Sequence, residues 1–165
     1  MKKNKLKRSV ISEYKCSLEY ILKSPLGISP KNIKDWEGKG LITPEREPNS
    51  NNWRVFDFFD ILSLLVISDV RKFGLEIPKL QNTLNNIYAY YGIKHLEKRD
   101  FSKICIKMLG DYNQPKDPFA GIFLVDNNGV AVKYNNWVEN SGIIINWLKY
   151  MEKTVEFFKD VKLKK

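Results

Sequence analysis

"GISPKNIKDWEGKGLI", residues 27–42, decides how the first half of the chain is read. Ser29 is a good helix N-cap, and Pro30 sits at the first helical position, where its missing N–H costs nothing. A short helix should therefore run from about Pro30 to Gly38. Ile33 and Trp36, three apart, share its inner side, so Trp36 reads as core rather than as a surface contact. Lys31, Asn32, Lys34 and Asp35 are left on or beside the exposed face. Upstream, "SLEYILK" (17–23) opens on a capping serine and places Leu18, Ile21 and Leu22 at helical spacing. That helix should stop near Ser24-Pro25, because proline disfavours helical geometry in the residue before it. Gly27 allows a sharp turn. Two short helices joined by a glycine turn, the second basic on its outer face, outline a helix-turn-helix.

Working outward, Leu41-Ile42 and Trp53-Arg54-Val55-Phe56 read as two short strands, with the turn-rich "PEREPNSNN" between them as a hairpin loop, or wing. Asp57 can cap the next helix, with Asp60 in its first turn, where negative charge suits the helix dipole. That helix, "FFDILSLLVISDVRKFG", is strongly apolar and must be core, ending at Gly74. Another helix follows, with Pro78 near its start and Leu80, Leu84, Ile87 and Tyr91 along one face.

The character changes after Gly92, where "KHLEKRD" is charged and linker-like. Residues 101–109 suit either a strand or a short helix, and "NQPKDP" (113–118) is a loop. "AGIFLVDNNGVAVKY" (120–134) is a hairpin, with Asn128-Gly129 suited to a tight turn. The segment from Gly142 onward reads as one long helix, in which Ile144, Leu148, Met151, Val155 and Phe158 form a short a/d seam of the kind that pairs helices between chains. The expected fold is mainly α with small β: a basic tail (1–13), a winged helix-turn-helix domain (14–92), and a small α+β module (93–165) ending in a long helix.

The chain has 165 residues, 43% hydrophobic and 13% aromatic, which is globular composition. No apolar run approaches the roughly 20 residues of a membrane span, and the basic N-terminus lacks a signal peptide's apolar stretch. Cys16 and Cys105 lie far apart without metal-ligand spacing, so the expected setting is the reducing cytoplasm, with no membrane. A net charge of +9 favours an acidic partner such as nucleic acid. Residues 1–50 hold most of the excess, with 11 Lys/Arg against 6 Asp/Glu.

The order helix, turn, basic helix, wing, long helix, helix over residues 14–91 resembles the DNA-binding domain of MerR-type transcription regulators. Gly27, Ser29, Ile33, Trp36, Glu37, Lys39, Gly40, Leu41, Pro44, Trp53, Arg54, Phe56, Asp60 and Gly74 fall on that family's pattern in order. The resemblance implies double-stranded DNA as partner, with helix 30–38 in the major groove. Lys31, Asn32, Lys34 and Asp35 would read bases or touch phosphates, and the helix N-terminus at Ser29 would face a phosphate. Arg54 would grip the backbone and Trp53 would pack on a sugar, with Lys15 and Arg46 as further phosphate contacts. Four features depart from the family pattern, one being a first turn, with Ser24, Pro25 and Leu26, a residue longer than usual. Lys34 stands where arginine is usual, which loses the bidentate fork, and Asp35 stands where an aromatic is usual. The long dimerising helix expected after the domain is interrupted at Gly92 and at the "NQPKDP" loop.

Catalysis finds no support. The one histidine, His95, lies in the charged linker, Asp111, Asp117 and Asp126 sit in turns, and no phosphate, dinucleotide or zinc pattern is present. No cofactor or metal is expected. The C-terminal module should serve homodimerisation, or sensing of a small-molecule or protein effector through residues 100–165. Its aromatics (Phe119, Phe123, Tyr134, Trp137 and Trp147) form either its core or a pocket lining. A reading of another class is an excisionase-like architectural factor, which bends DNA and binds a recombinase.

Overall fold

The computed structural model describes residues 14–47, 53–91, 121–133 and 142–163. The basic tail, the wing tip, the segment 101–109, His95, Cys105, Asp111, Asp117, Phe119, Tyr134 and Trp137 lie outside the described residues. Within them the architecture is mainly helical with two small sheets. The N-terminal part is a helix-turn-helix with a wing, and the C-terminal part is a β-hairpin, a further strand and a long final helix.

The chain enters on a strand, β1 (Lys15–Ser17), too short to declare itself by alternation. It exists because it pairs antiparallel with β3 (Arg54–Asp57), which also pairs with β2 (Glu45–Arg46). Ser17 ends β1 and caps α1 (Leu18–Lys23) by accepting from Tyr20 N. The helix stops at Ser24 before Pro25, and Gly27 turns the chain at φ 63°. Helix α2 (Pro30–Gly38) then starts from Ser29 with proline in its first turn. It ends in a Schellman motif: Gly40, at φ 67°, donates to Glu37 O (3.0 Å) and Leu41 donates to Trp36 O (2.9 Å).

The first wing strand is a correction. Leu41 and Ile42 are fully buried but form no strand; pairing begins only at Glu45. Their apolar side chains anchor the C-terminal end of α2 instead of alternating along a sheet. A buried carboxylate fixes the path between them. Asp60 accepts from Asp57 N (3.1 Å) through one oxygen and from Thr43 N (3.0 Å) through the other, while Asp57 accepts from Asp60 N (2.9 Å). This capping box starts α3 (Phe58–Arg71) and ties it to the approach to the wing. Helix α4 (Ile77–Tyr90) follows, with Leu80, Leu84, Ile87 and Tyr91 all buried.

The C-terminal hairpin joins β4 (Ile122–Val125) to β5 (Ala131–Lys133) and lies in a sheet of order β5-β4-β6, with β6 at Ile143–Asn146. Its connection is longer than a two-residue turn: Asp126 N donates to Val130 O, and the Asp126 carboxylate accepts from Asn128 N and Val130 N. Only Gly129 needs a positive φ, 78°. It rests on α4 so closely that a Cβ there would lie 2.2 Å from Lys79 O. Thr83 donates to Gly129 O (2.9 Å), and Asn86 accepts from Ala131 N (3.0 Å), so the hairpin is pinned along α4.

The final helix also differs from expectation. Three consecutive isoleucines favour extended backbone, and Asn146, accepting from Lys149 N (3.1 Å), caps a helix that begins only at Trp147. Helix α5 (Trp147–Leu163) packs on α3 and β1. Of the five residues read as an intermolecular seam, Ile144 is on β6 and 62% exposed, whereas Met151, Val155 and Phe158 are buried in the chain's own core. Periodicity shows that a helix buries one face; it does not say against what. Phe158 stacks on Tyr14 (4.9 Å, 3° between planes), and Trp147 meets Tyr88 edge-on (5.4 Å). The buried side chains of both halves thus form one cluster, each large one contributing about 1.5–3 kcal/mol.

Candidate nucleic-acid interface

Helix α2 divides its residues as its spacing requires. Ile33 and Trp36 are buried, while Lys31, Asn32 and Lys34 stand exposed. The Ser29 hydroxyl accepts from Asn32 N (3.2 Å), and no acidic side chain occupies the first turn, so the positive end of the helix is not offset locally. Asp35 is half-buried and pairs with Lys39 one turn on (2.7 Å).

The wing is fastened to this helix through one residue. Arg46 and Arg54 face each other across β2 and β3, a like-charge pair that would destabilise the sheet on its own. Glu37, from the last turn of α2, lies between them: its Oε2 accepts from Arg54 Nε (2.6 Å) and its Oε1 accepts from Arg46 Nη2. Glu37 is 19% and Arg54 25% exposed at the side chain, so this bridge is largely withdrawn from water. Glu37 thus ties the end of α2 to both wing strands. On the sheet's first strand, Lys15 pairs with Glu45 of β2 (2.6 Å). Trp53 projects from the start of β3, 61% exposed, beside a recess of ≈ 350 Å³ that Lys15, Ser17 and Tyr20 also line.

All nine residues singled out in the sequence thus belong to α2, its cap or the wing sheet and its approach. Lys31, Asn32 and Lys34 share the open helix face; Arg46 and Arg54 converge on Glu37; Lys15 and Trp53 border the outer side of the wing. Sequence reasoning did not assign Glu37 its part, since its partners are 9 and 17 residues away on other elements. Its signal was the pair of arginines flanking the wing loop. Nor did it find Asp60 as the anchor of Thr43.

Buried Cys16 lies within the wing sheet, on β1 opposite Phe56 of β3. Burial, then the nearby carboxylates of Asp60 and Asp57, pushes its thiol up to about 12, so it stays protonated and unreactive. Among the described residues no group of three or more His, Cys, Asp or Glu is placed to hold a metal, and no helix is long and apolar enough to cross a membrane.

Residues 22–87 match the family described as MerR HTH family regulatory protein. That segment is a MerR-type helix-turn-helix regulatory domain, and such a domain implies DNA binding and transcription regulation. Regulators of this family are typically not enzymes. Neither a curated protein nor a solved structure matches the chain.

Proposed function

We propose that the protein is a sequence-specific double-stranded DNA-binding regulator that reads the major groove with α2. The observation that carries this reading is the open face of α2, three polar side chains held at a fixed angle to a basic wing by Glu37. Asn32 is suited to bidentate pairing with adenine, Lys31 and Lys34 to guanine or phosphate, and Asp35 to a cytosine amino group. The Ser29 end of the helix faces a phosphate. Arg54 and Arg46 set the wing against the backbone, Trp53 packs on a sugar, and Lys15 is a further phosphate contact. These contacts fix the register, while the base contacts choose the sequence.

In this reading the regulator acts as a homodimer on two half-sites, and the C-terminal residues 100–165 receive a small-molecule or protein effector. The dimer needs a surface other than the expected seam, since Met151, Val155 and Phe158 are buried within the chain. The same burial favours a second reading, an excisionase-like architectural factor that loads as monomers, bends DNA and binds a protein partner. Selection from random duplex DNA, with the protein's mass in solution measured beside it, separates the two. A palindromic consensus bound by a dimer supports the regulator; direct repeats bound by monomers support the architectural factor. Binding without any consensus rejects sequence reading by α2.

A further inference from the structure

We propose that the groove between the helix-turn-helix and the final helix binds a small organic cation with an apolar body. The groove, open on one side, offers ≈ 390 Å³, within the size range of small-molecule sites. Its apolar floor is built by Tyr20 of α1, Leu26 of the turn, Leu65 of α3 and Phe157 of α5. Tyr20 and Phe157 meet edge-to-face at 5.4 Å and 88°, which leaves an aromatic wall at a fixed angle.

The rim decides the charge of the occupant. Two lysines border the groove, but both are engaged: Lys23 pairs with Glu19 (2.5 Å), and Lys153 lies 3.5 Å from Asp69 and over the Tyr150 ring at 5.1 Å. The two acids of the rim, Glu156 and Asp160, are exposed on α5, and neither has an ion-pair or hydrogen-bond partner among the described residues. They stand one turn apart, where like charges repel, and Asp160 is in the last turn of a helix whose dipole disfavours an acid there. A cation between them relieves both costs, and its apolar body covers Tyr20 and Phe157, where the ring faces also attract positive charge. An anion would meet the carboxylates, and a neutral apolar molecule would leave them as they are. The occupant would touch the 24–26 turn, which leads into α2, and α5 together.

The test uses the full chain and two probes of matched shape, 2-phenylethylammonium and 3-phenylpropionate, titrated by calorimetry and followed by NMR at Phe157 and Tyr20. The amine is expected to bind at least about tenfold more tightly than the acid. The double substitution Glu156→Gln, Asp160→Asn should abolish that preference without lowering the thermal midpoint, since both side chains are exposed and their mutual repulsion is removed. Equal affinity for the two probes, no saturation by the amine, or an unchanged preference in the double variant would overturn the proposal. So would groove signals that follow protein concentration and ignore the amine, which would assign the groove to a second copy of the chain. Calorimetry reads the amine directly, so the result does not depend on whether the chain binds DNA.

Discussion

Glu37, in the last turn of α2, accepts a hydrogen bond from Arg54 of the wing at 2.6 Å, and its other oxygen holds Arg46. One carboxylate thus bridges two guanidiniums that face each other across a sheet and leaves the trio with one net positive charge. Replacing Glu37 with Gln should leave that arginine pair in repulsion and lower stability by about 2 kcal/mol, the scale of a hydrogen bond to a charged group. Chemical denaturation checks this. A midpoint equal to that of the natural chain would mean that the wing is held by its strand pairing alone.

Asp60 should matter more than its place in an apolar helix suggests. Asp60→Ala removes half of the capping box and leaves Thr43 N without its acceptor. A loss of about 2–3 kcal/mol is expected, because the backbone donors Asp57 N and Thr43 N both lose this acceptor while the Asp57 cap itself remains. Exchange of the Thr43 amide with deuterium should accelerate well beyond the global change. Uniform acceleration across α3 and the wing would instead place the effect in the helix as a whole.

Cys16 should behave as an inert thiol. Its pKa of about 12 arises from burial first and from Asp60 and Asp57 second. In a Cys105→Ser background, a disulfide reagent at about pH 8 should label the folded chain only as fast as it unfolds, whereas a free thiol would react at once. Rapid labelling of the folded chain would contradict the burial of Cys16 on β1.

A pH dependence follows from Asp69, which links α3 to α5. Burial alone would raise its carboxyl, but the hydrogen bond from Lys72, the charge of Lys153 and the Tyr150 hydroxyl outweigh it and hold the pKa below the ordinary value. For a carboxyl lowered on folding, the stabilisation is complete above the unfolded pKa of about 4 and fades as pH falls through the folded value. Asp69→Asn should therefore be less stable than the natural chain near neutral pH, by no more than about 1 kcal/mol for so exposed a group. The difference should close at acid pH. A gap that persists there would show that shape, not charge, is what Asp69 supplies.

What could be read in advance was local. Ser29-Pro30, Gly27 and Asp57 act on residues within a turn of themselves, so helices α1 to α3 and the open face of α2 follow from short spacings. What could not be read was set by distant partners. Lys15–Ser17 is a strand only because β3 lies beside it, and Glu45–Arg46 displaces Leu41-Ile42 as the wing strand because the latter are drawn into the core. Met151, Val155 and Phe158 carry a periodicity that suits a second chain and their own α3 equally well. The same holds for the candidate site: the exposure of Lys31, Asn32 and Lys34 follows from Ile33 and Trp36, but the bridge at Glu37 depends on two arginines from β2 and β3.

One comparison tests whether α2 chooses the sequence while the wing holds the backbone. Binding of the natural chain, Asn32→Ala and Arg54→Ala is measured on the selected duplex and on random duplex over a range of salt. Arg54→Ala should weaken both duplexes alike and reduce the salt slope by about 0.9, one phosphate's worth. Asn32→Ala should weaken the selected duplex by about 1–3 kcal/mol, leave the random one nearly unchanged and relax preference at one or two base positions. Equal losses for both variants on both duplexes would contradict the division of labour between helix and wing.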